Sequence, residues 1–205
     1  MKNKNTVFAT KWITYTAMLT ALTVATAAIP PAPTPWGNVY WCDGIIFLTA
    51  YLMDPFASFI VGGLGTLLYD LCFGNAAMAL VSLIIHGVQG AAVSALLHCA
   101  FKRLAEKREP VFAGISSIAG AIVVIGGYFT FYWLIAPLIY TDKNYGYAYA
   151  SVRVVRNVLQ EVIGIAAALA VCYATTLKKQ LAKSNLLPDF KRVGESKGEA
   201  VERGK

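Results

Sequence analysis

Apolar residues fill this chain in long stretches, and the polar positions that interrupt them cluster instead of alternating. Six segments read as helices of membrane length or near it: Trp12 to Ile29, Asp43 to Met53, Pro55 to Phe73, Ala76 to Phe101, Val111 to Ile139 and Ser151 to Leu177. A hydrocarbon layer of ~30 Å takes about 20 helical residues, so the second segment is short for a full crossing. The breakers "PPAPTP" and "DP" end the first and second segments. The pattern predicts an all-α integral membrane protein, a six-helix bundle over residues 1–178 with a basic tail at 179–205.

Charge placement orients this bundle. Lys2, Lys4 and Lys11, the loop "KRLAEKRE" at 102–109 and the run from Lys178 onward hold most of the basic residues. The connectors 30–42, 74–75 and 140–150 hold only Lys143. Positive charge marks the cytoplasmic side, so both termini are expected inside, in a bacterial cytoplasmic membrane. The first segment also reads as a signal peptide, with a basic start and small residues before Ile29, and its cleavage would leave five spans.

Composition agrees: 57% hydrophobic and 14% charged, against about 25% charged in soluble domains. A net charge of +7 confined to ends and one loop argues for membrane anchoring, not nucleic acid. Four cysteines lie far apart without a metal-type pair, and a Cys42–Cys72 bridge stays open. No GxxxxGK[ST], HExxH or GxSxG motif is present, which leaves an ATPase or hydrolase reading with nothing to stand on; no metal or cofactor is expected.

The polar residues inside the spans carry the functional signal, because ionisable groups at membrane depth are costly and mark sites or pathways. On the last span Arg153, Asn157, Gln160, Glu161 and Gly164 recur at helical spacing on one face, with Arg156 beside it. Thr66, Tyr69 and Asp70 share a face on the third span, His86, Gln89 and Gly90 on the fourth, and Tyr128, Tyr132 and Trp133 lie on the fifth. Asp43 opens the second. Each also has a plainer reading: Asp43 as a helix cap, the fifth-span aromatics as an interfacial belt, His86 and Gln89 as interhelical glue, the arginines reaching for headgroups. Convergence of five helices favours a ligand site.

Ala17, Ala21, Ala25 and Ala28 line one stripe of the first span. Small residues at that interval let another helix approach closely, within the bundle or from a partner protein. A non-transport assembly or regulatory subunit that binds no ligand is the alternative this stripe leaves open.

Over about residues 8–178 the chain resembles the substrate-binding S components of energy-coupling factor (ECF) vitamin transporters. The carriers are "AMLTALTVATAA", "YWCDGIIFLTAYLMDPFASFIVGGLGTLLYD" and "SLIIHGVQGAAVSALL", the last two resembling the riboflavin, pyridoxine and hydroxymethylpyrimidine branch. The resemblance implies vitamin capture at the outer face under the loop "PPAPTPWGNVYW". It also implies docking of Ala17, Ala21 and Ala25 on a transmembrane T component, and release driven by two cytoplasmic ATPases. Asn157 and Gln160 would hydrogen-bond a heteroaromatic ring, Glu161 and Asp70 would favour a donor-rich ligand, and Trp36, Trp41, Tyr128 and Tyr132 would stack on it. Pyridoxine or hydroxymethylpyrimidine is expected ahead of riboflavin. An anionic ligand would need Arg153 to turn inward.

Overall fold

A computed structural model describes residues 4–73, 76–140 and 145–175. Helix α1 (Lys4–Ala28) leads into a small antiparallel hairpin, β1 (Ala32–Thr34) and β2 (Gly37–Val39). Then follow α2 (Asp43–Leu52), α3 (Pro55–Cys72), α4 (Ala79–Ala95), α5 (Lys102–Thr130), the short α6 (Ala136–Ile139) and α7 (Tyr147–Leu169). Helix α4 runs on through a wider π turn, Leu96–Ala100, and α7 through another, Ala170–Ala174. Leu177, Lys143 and the 179–205 tail lie outside the described residues.

Four stretches are long and apolar enough to cross a membrane: Pro55–Cys72, Ala76–Ala100, Arg108–Ile139 and Tyr147–Ala174. Their outer faces are apolar; Leu138, Leu80 and Ile122 are 86%, 70% and 65% exposed, which suits lipid and not water. The chain is a multi-pass membrane protein.

Helix α1 starts earlier than hydropathy suggested, at Lys4, and its threonines dilute its apolar character. Thr14, Thr20, Thr23 and Thr26 each donate to the carbonyl four residues back, while the buried Thr16 hydroxyl finds no partner among the described residues. Helix α2 is ten residues long, and its neighbour completes it. The open carbonyls of Ala50 and Met53 accept from His98 Nε2 (3.0 Å) and Ser94 Oγ (2.7 Å). An open carbonyl in hydrocarbon costs several kcal/mol, so a short helix survives at this depth only beside such partners. Asp54 caps α3, accepting from Phe56 and Ala57 N–H at 3.0 Å each, with Pro55 at the first helical position. Its other oxygen takes the Trp12 indole N–H at 2.5 Å, tying α1 to the α2–α3 junction.

Glycines set the closest helix crossing. Gly62 and Gly63 of α3 lie against the α4 backbone, and Gly90 of α4 against Ser58. Gly65 opens α3 to Thr23 of α1. Helix α5 breaks at Arg108 (φ −144°, ψ 49°), two residues before Pro110, which has no N–H to give the preceding turn. Before Pro137 the missing N–H is absorbed by the π turn Phe131–Ile135.

The connector 30–42, which the sequence reads only as a loop, folds back as the hairpin, Ala32 opposite Val39 and Thr34 opposite Gly37. Gly37 has φ +123°, and a Cβ there would sit 2.6 Å from an Arg153 nitrogen. The turn is thereby pressed onto α7. Cys42 is buried, Cys72 exposed, and both are free thiols, so the bridge left open by the sequence is not formed.

Candidate functional site

A cavity of about 430 Å³ opens beneath the hairpin, within the range of small-molecule sites. Helix α3 lines it with Thr66, Tyr69 and Asp70, α4 with Ser82 and His86, and α5 and its π turn with Tyr128 and Tyr132. Tyr40 and Cys42 come from the short segment between β2 and α2; Tyr145, Tyr149, Arg153, Arg156 and Gln160 come from α7 and the residues just before it. Ala27, Phe73 and Met78 complete the wall. Tyrosines dominate, giving flat apolar faces with hydroxyl edges. Tyr132 stacks on Tyr145 at 6.0 Å and on Tyr128 at 6.0 Å.

Behind this wall runs a buried polar network that joins α2, α4 and α7. Gln160 Nε2 donates to Asp43 Oδ2 (2.5 Å), while Gln160 Oε1 accepts the Tyr40 N–H (3.0 Å). Gln89 Nε2 donates to Glu161 Oε2 (2.9 Å), which leaves Gln89 Oε1 to accept from His86 Nδ1 (2.9 Å). That amide oxygen can only accept, so Nδ1 carries the proton. The same nitrogen stands 3.2 Å from Asp43 Oδ1. His86 Nε2 meets the Tyr128 hydroxyl at 3.2 Å, Tyr128 meets Ser82 at 3.1 Å, and Ser82 donates to Asp70 at 2.5 Å. A continuous chain of hydrogen bonds therefore links the carboxylate on α3 to that on α7, and the approach of His86 to Asp43 brings the carboxylate on α2 against it. Helices α2 and α7 come close enough for it because Gly164 leaves room; a Cβ there would lie 2.9 Å from Asp43 Cβ.

A second concavity lies on the outside of the bundle. It is an apolar groove of about 470 Å³ between α1 and α3, lined by Ala17, Ala21, Leu64 and Leu68 among others. Thr16, Thr23 and Ala27 bury the inward face of α1, and Ala17, Ala21 and Ala25 face out.

Compared with protein families, the chain matches the ECF-type riboflavin transporter, S component, over residues 7–179. It belongs to that family. No curated protein matches it. The chain is thus an S component, the substrate-binding subunit of a vitamin transporter.

With the S-component fold in place, the residues singled out from sequence divide into three groups. Tyr69, Asp70, His86, Tyr128, Tyr132 and Gln160 line the cavity. Asp43, Gln89, Asn157 and Glu161 are buried just behind it and hold its walls. Trp36 and Trp41 do neither; they are 41% and 38% exposed on the hairpin, and Trp41 donates to Pro30 O at 3.1 Å. Asp43 does not cap α2: it is the first residue of that helix, makes no capping bond and faces α4 and α7. Tyr128 and Tyr132 are buried, whereas Trp133 alone faces outward. Both arginines turn inward, contrary to the expectation that one of them reaches for headgroups. The sequence reading missed Tyr145 and Tyr149, although Tyr145, Tyr149 and Arg153 continue the α7 stripe at four-residue steps. Ser82 was equally legible, one turn before His86 on the same face.

Proposed function

We propose that this S component captures a flat heteroaromatic vitamin in the cavity beneath the hairpin and passes it to a T component powered by two ATPases. The observation that carries the reading is the cavity itself: seven aromatic side chains around polar groups from α3, α4 and α7, beside a hairpin pressed onto α7. Stacking on Tyr128 and Tyr132 suits a planar ring, and Ser82, Asp70 and Gln160 supply the hydrogen bonds that would set its orientation. The family match moves riboflavin ahead of pyridoxine and hydroxymethylpyrimidine. In this reading all six long segments cross or enter the bilayer, both termini lie in the cytoplasm, and the hairpin end opens outside. The charge distribution supports that orientation.

The outward alanines of α1 and the groove beside them would receive the T component, since small side chains give another helix access to the backbone. Ala21→Trp fills that groove from the far side of α1, away from the cavity. Uptake of radiolabelled vitamin by cells expressing the full transporter should fall roughly tenfold or more. Binding by the purified subunit should be unchanged. Equal uptake with the tryptophan in place would remove the docking role from this face.

A further inference from the structure

Arg156 is buried at the cavity wall, yet the described residues give its guanidinium one acceptor. Nε and one terminal nitrogen both donate to Asn157 Oδ1, at 3.0 and 2.6 Å. A guanidinium has five N–H donors, so most of its capacity is directed at nothing the described residues provide. Arg153, one turn earlier, donates to the Tyr149 hydroxyl at 2.6 Å and lies 4.8 Å over the Tyr149 ring. Among the described residues neither arginine has a carboxylate within ion-pair distance; the one such pair is His86 with Asp43.

Buried charges are ordinarily paired, because removing an ion from water costs several kcal/mol that only a partner offsets. Here two cations share one wall, and the described carboxylates nearest the cavity face other residues. Asp43 faces Gln160 and His86, Glu161 faces Gln89, and Asp70 takes the Ser82 hydroxyl. The hairpin turn at Gly37 packs directly on both arginine side chains and holds them toward the cavity. The site is consequently polarised, with donors of fixed positive charge on α7 and a carboxylate on α3.

We propose that the ligand of this cavity carries an oxyanion, a phosphate or a carboxylate, which Arg153 and Arg156 grip together. This rests on the vitamin-binding reading above and moves its ligand from the neutral riboflavin, pyridoxine and hydroxymethylpyrimidine to a phosphate ester or carboxylate-bearing ring: the ring stacks among the tyrosines while the anionic group sits against α7. Arg is suited to the task, since its planar fork matches two oxygens of one group at once.

The test is isothermal titration calorimetry of the purified full chain with matched pairs that differ in charge. The pairs are riboflavin and flavin mononucleotide, pyridoxal and pyridoxal 5′-phosphate, and nicotinamide and nicotinate. The phosphate and carboxylate pairs tell the two oxyanions apart. In at least one pair the anionic member should bind about tenfold or more tightly than the neutral one. Arg156→Gln and Arg153→Gln should each shrink that ratio, and Arg156→Lys should keep part of it. Because the readout is a ratio within one protein, a general loss of stability does not imitate it, and Arg153→Gln covers the case in which Arg156→Gln fails to fold. Saturable binding with the neutral member equal or tighter would overturn the oxyanion and leave the vitamin site standing. Absence of binding by every compound, in folded protein, would overturn both.

Discussion

Substituting alanine for Gly62 is expected to cost the fold about 3 kcal/mol, the upper end of what overpacking does. The new Cβ would lie 2.4 Å from the His86 carbonyl oxygen and 3.0 Å from its carbon. Those are backbone atoms of α4, so no side-chain rotation relieves the clash and the two helices must part. Parting them moves His86 and Gln89, which hold the network behind the cavity. Thermal unfolding of the detergent-solubilised protein should show a midpoint roughly 6–12 °C lower, by the usual scaling for a chain of this size. Gly126→Ala is the control, since a Cβ there meets nothing within 4 Å. An unchanged midpoint for Gly62→Ala would mean that α3 and α4 do not cross as described.

Removing the carboxylate of Asp43 should be still more damaging. The side chain is wholly buried, accepts from Gln160 and pairs with His86. Taking away one member of a buried pair costs about 3–5 kcal/mol, because the survivor keeps its desolvation without its partner. The effect reaches the cavity through Gln160, whose amide links Asp43 to the Tyr40 backbone under the hairpin. Asp43→Ala should therefore lower both the unfolding midpoint and ligand affinity, with Asp43→Asn intermediate because it retains one acceptor oxygen. Asp43→Ser separates two explanations. Serine is as good a helix cap as aspartate but is too short to reach His86 or Gln160. Stability and binding close to those of Asp43→Ala place the role of Asp43 in the network, and full rescue by serine would return it to a cap.

Much of this site could be read from the sequence, for a physical reason. A polar residue in hydrocarbon must point at other protein, so helical spacing converts directly into a buried face. That is why Asn157, Gln160 and Glu161, or Thr66, Tyr69 and Asp70, converge as their spacing implied. Spacing does not say how deep each one sits, and Asn157 and Glu161 fall behind the wall while Gln160 reaches it. Residues between helices carry no such period. Trp36 and Trp41 were aromatic and close in sequence to the site, but the hairpin turns them outward while the Tyr40 backbone reaches Gln160. The same gap hid Tyr145 and Tyr149, because the polar, aromatic connector ahead of Ser151 concealed the extra helical turn that starts at Tyr147. Arg156 looked lateral by spacing alone; its long side chain bends back to Asn157 and the cavity.

The measurement that bears most directly on the account is a calorimetric titration of the purified chain against its own plugged variant. Met78 lies on the cavity wall just before α4, half-buried, and Met78→Trp would fill the space while leaving every residue of the hydrogen-bonded network in place. The ligands are riboflavin, pyridoxine and hydroxymethylpyrimidine, each with its phosphate ester. One of them should bind saturably at one per chain, and the heat should vanish in the plugged protein while its unfolding midpoint holds. Binding that is the same in both proteins would place the vitamin elsewhere, and no binding by folded wild-type protein would contradict the site altogether.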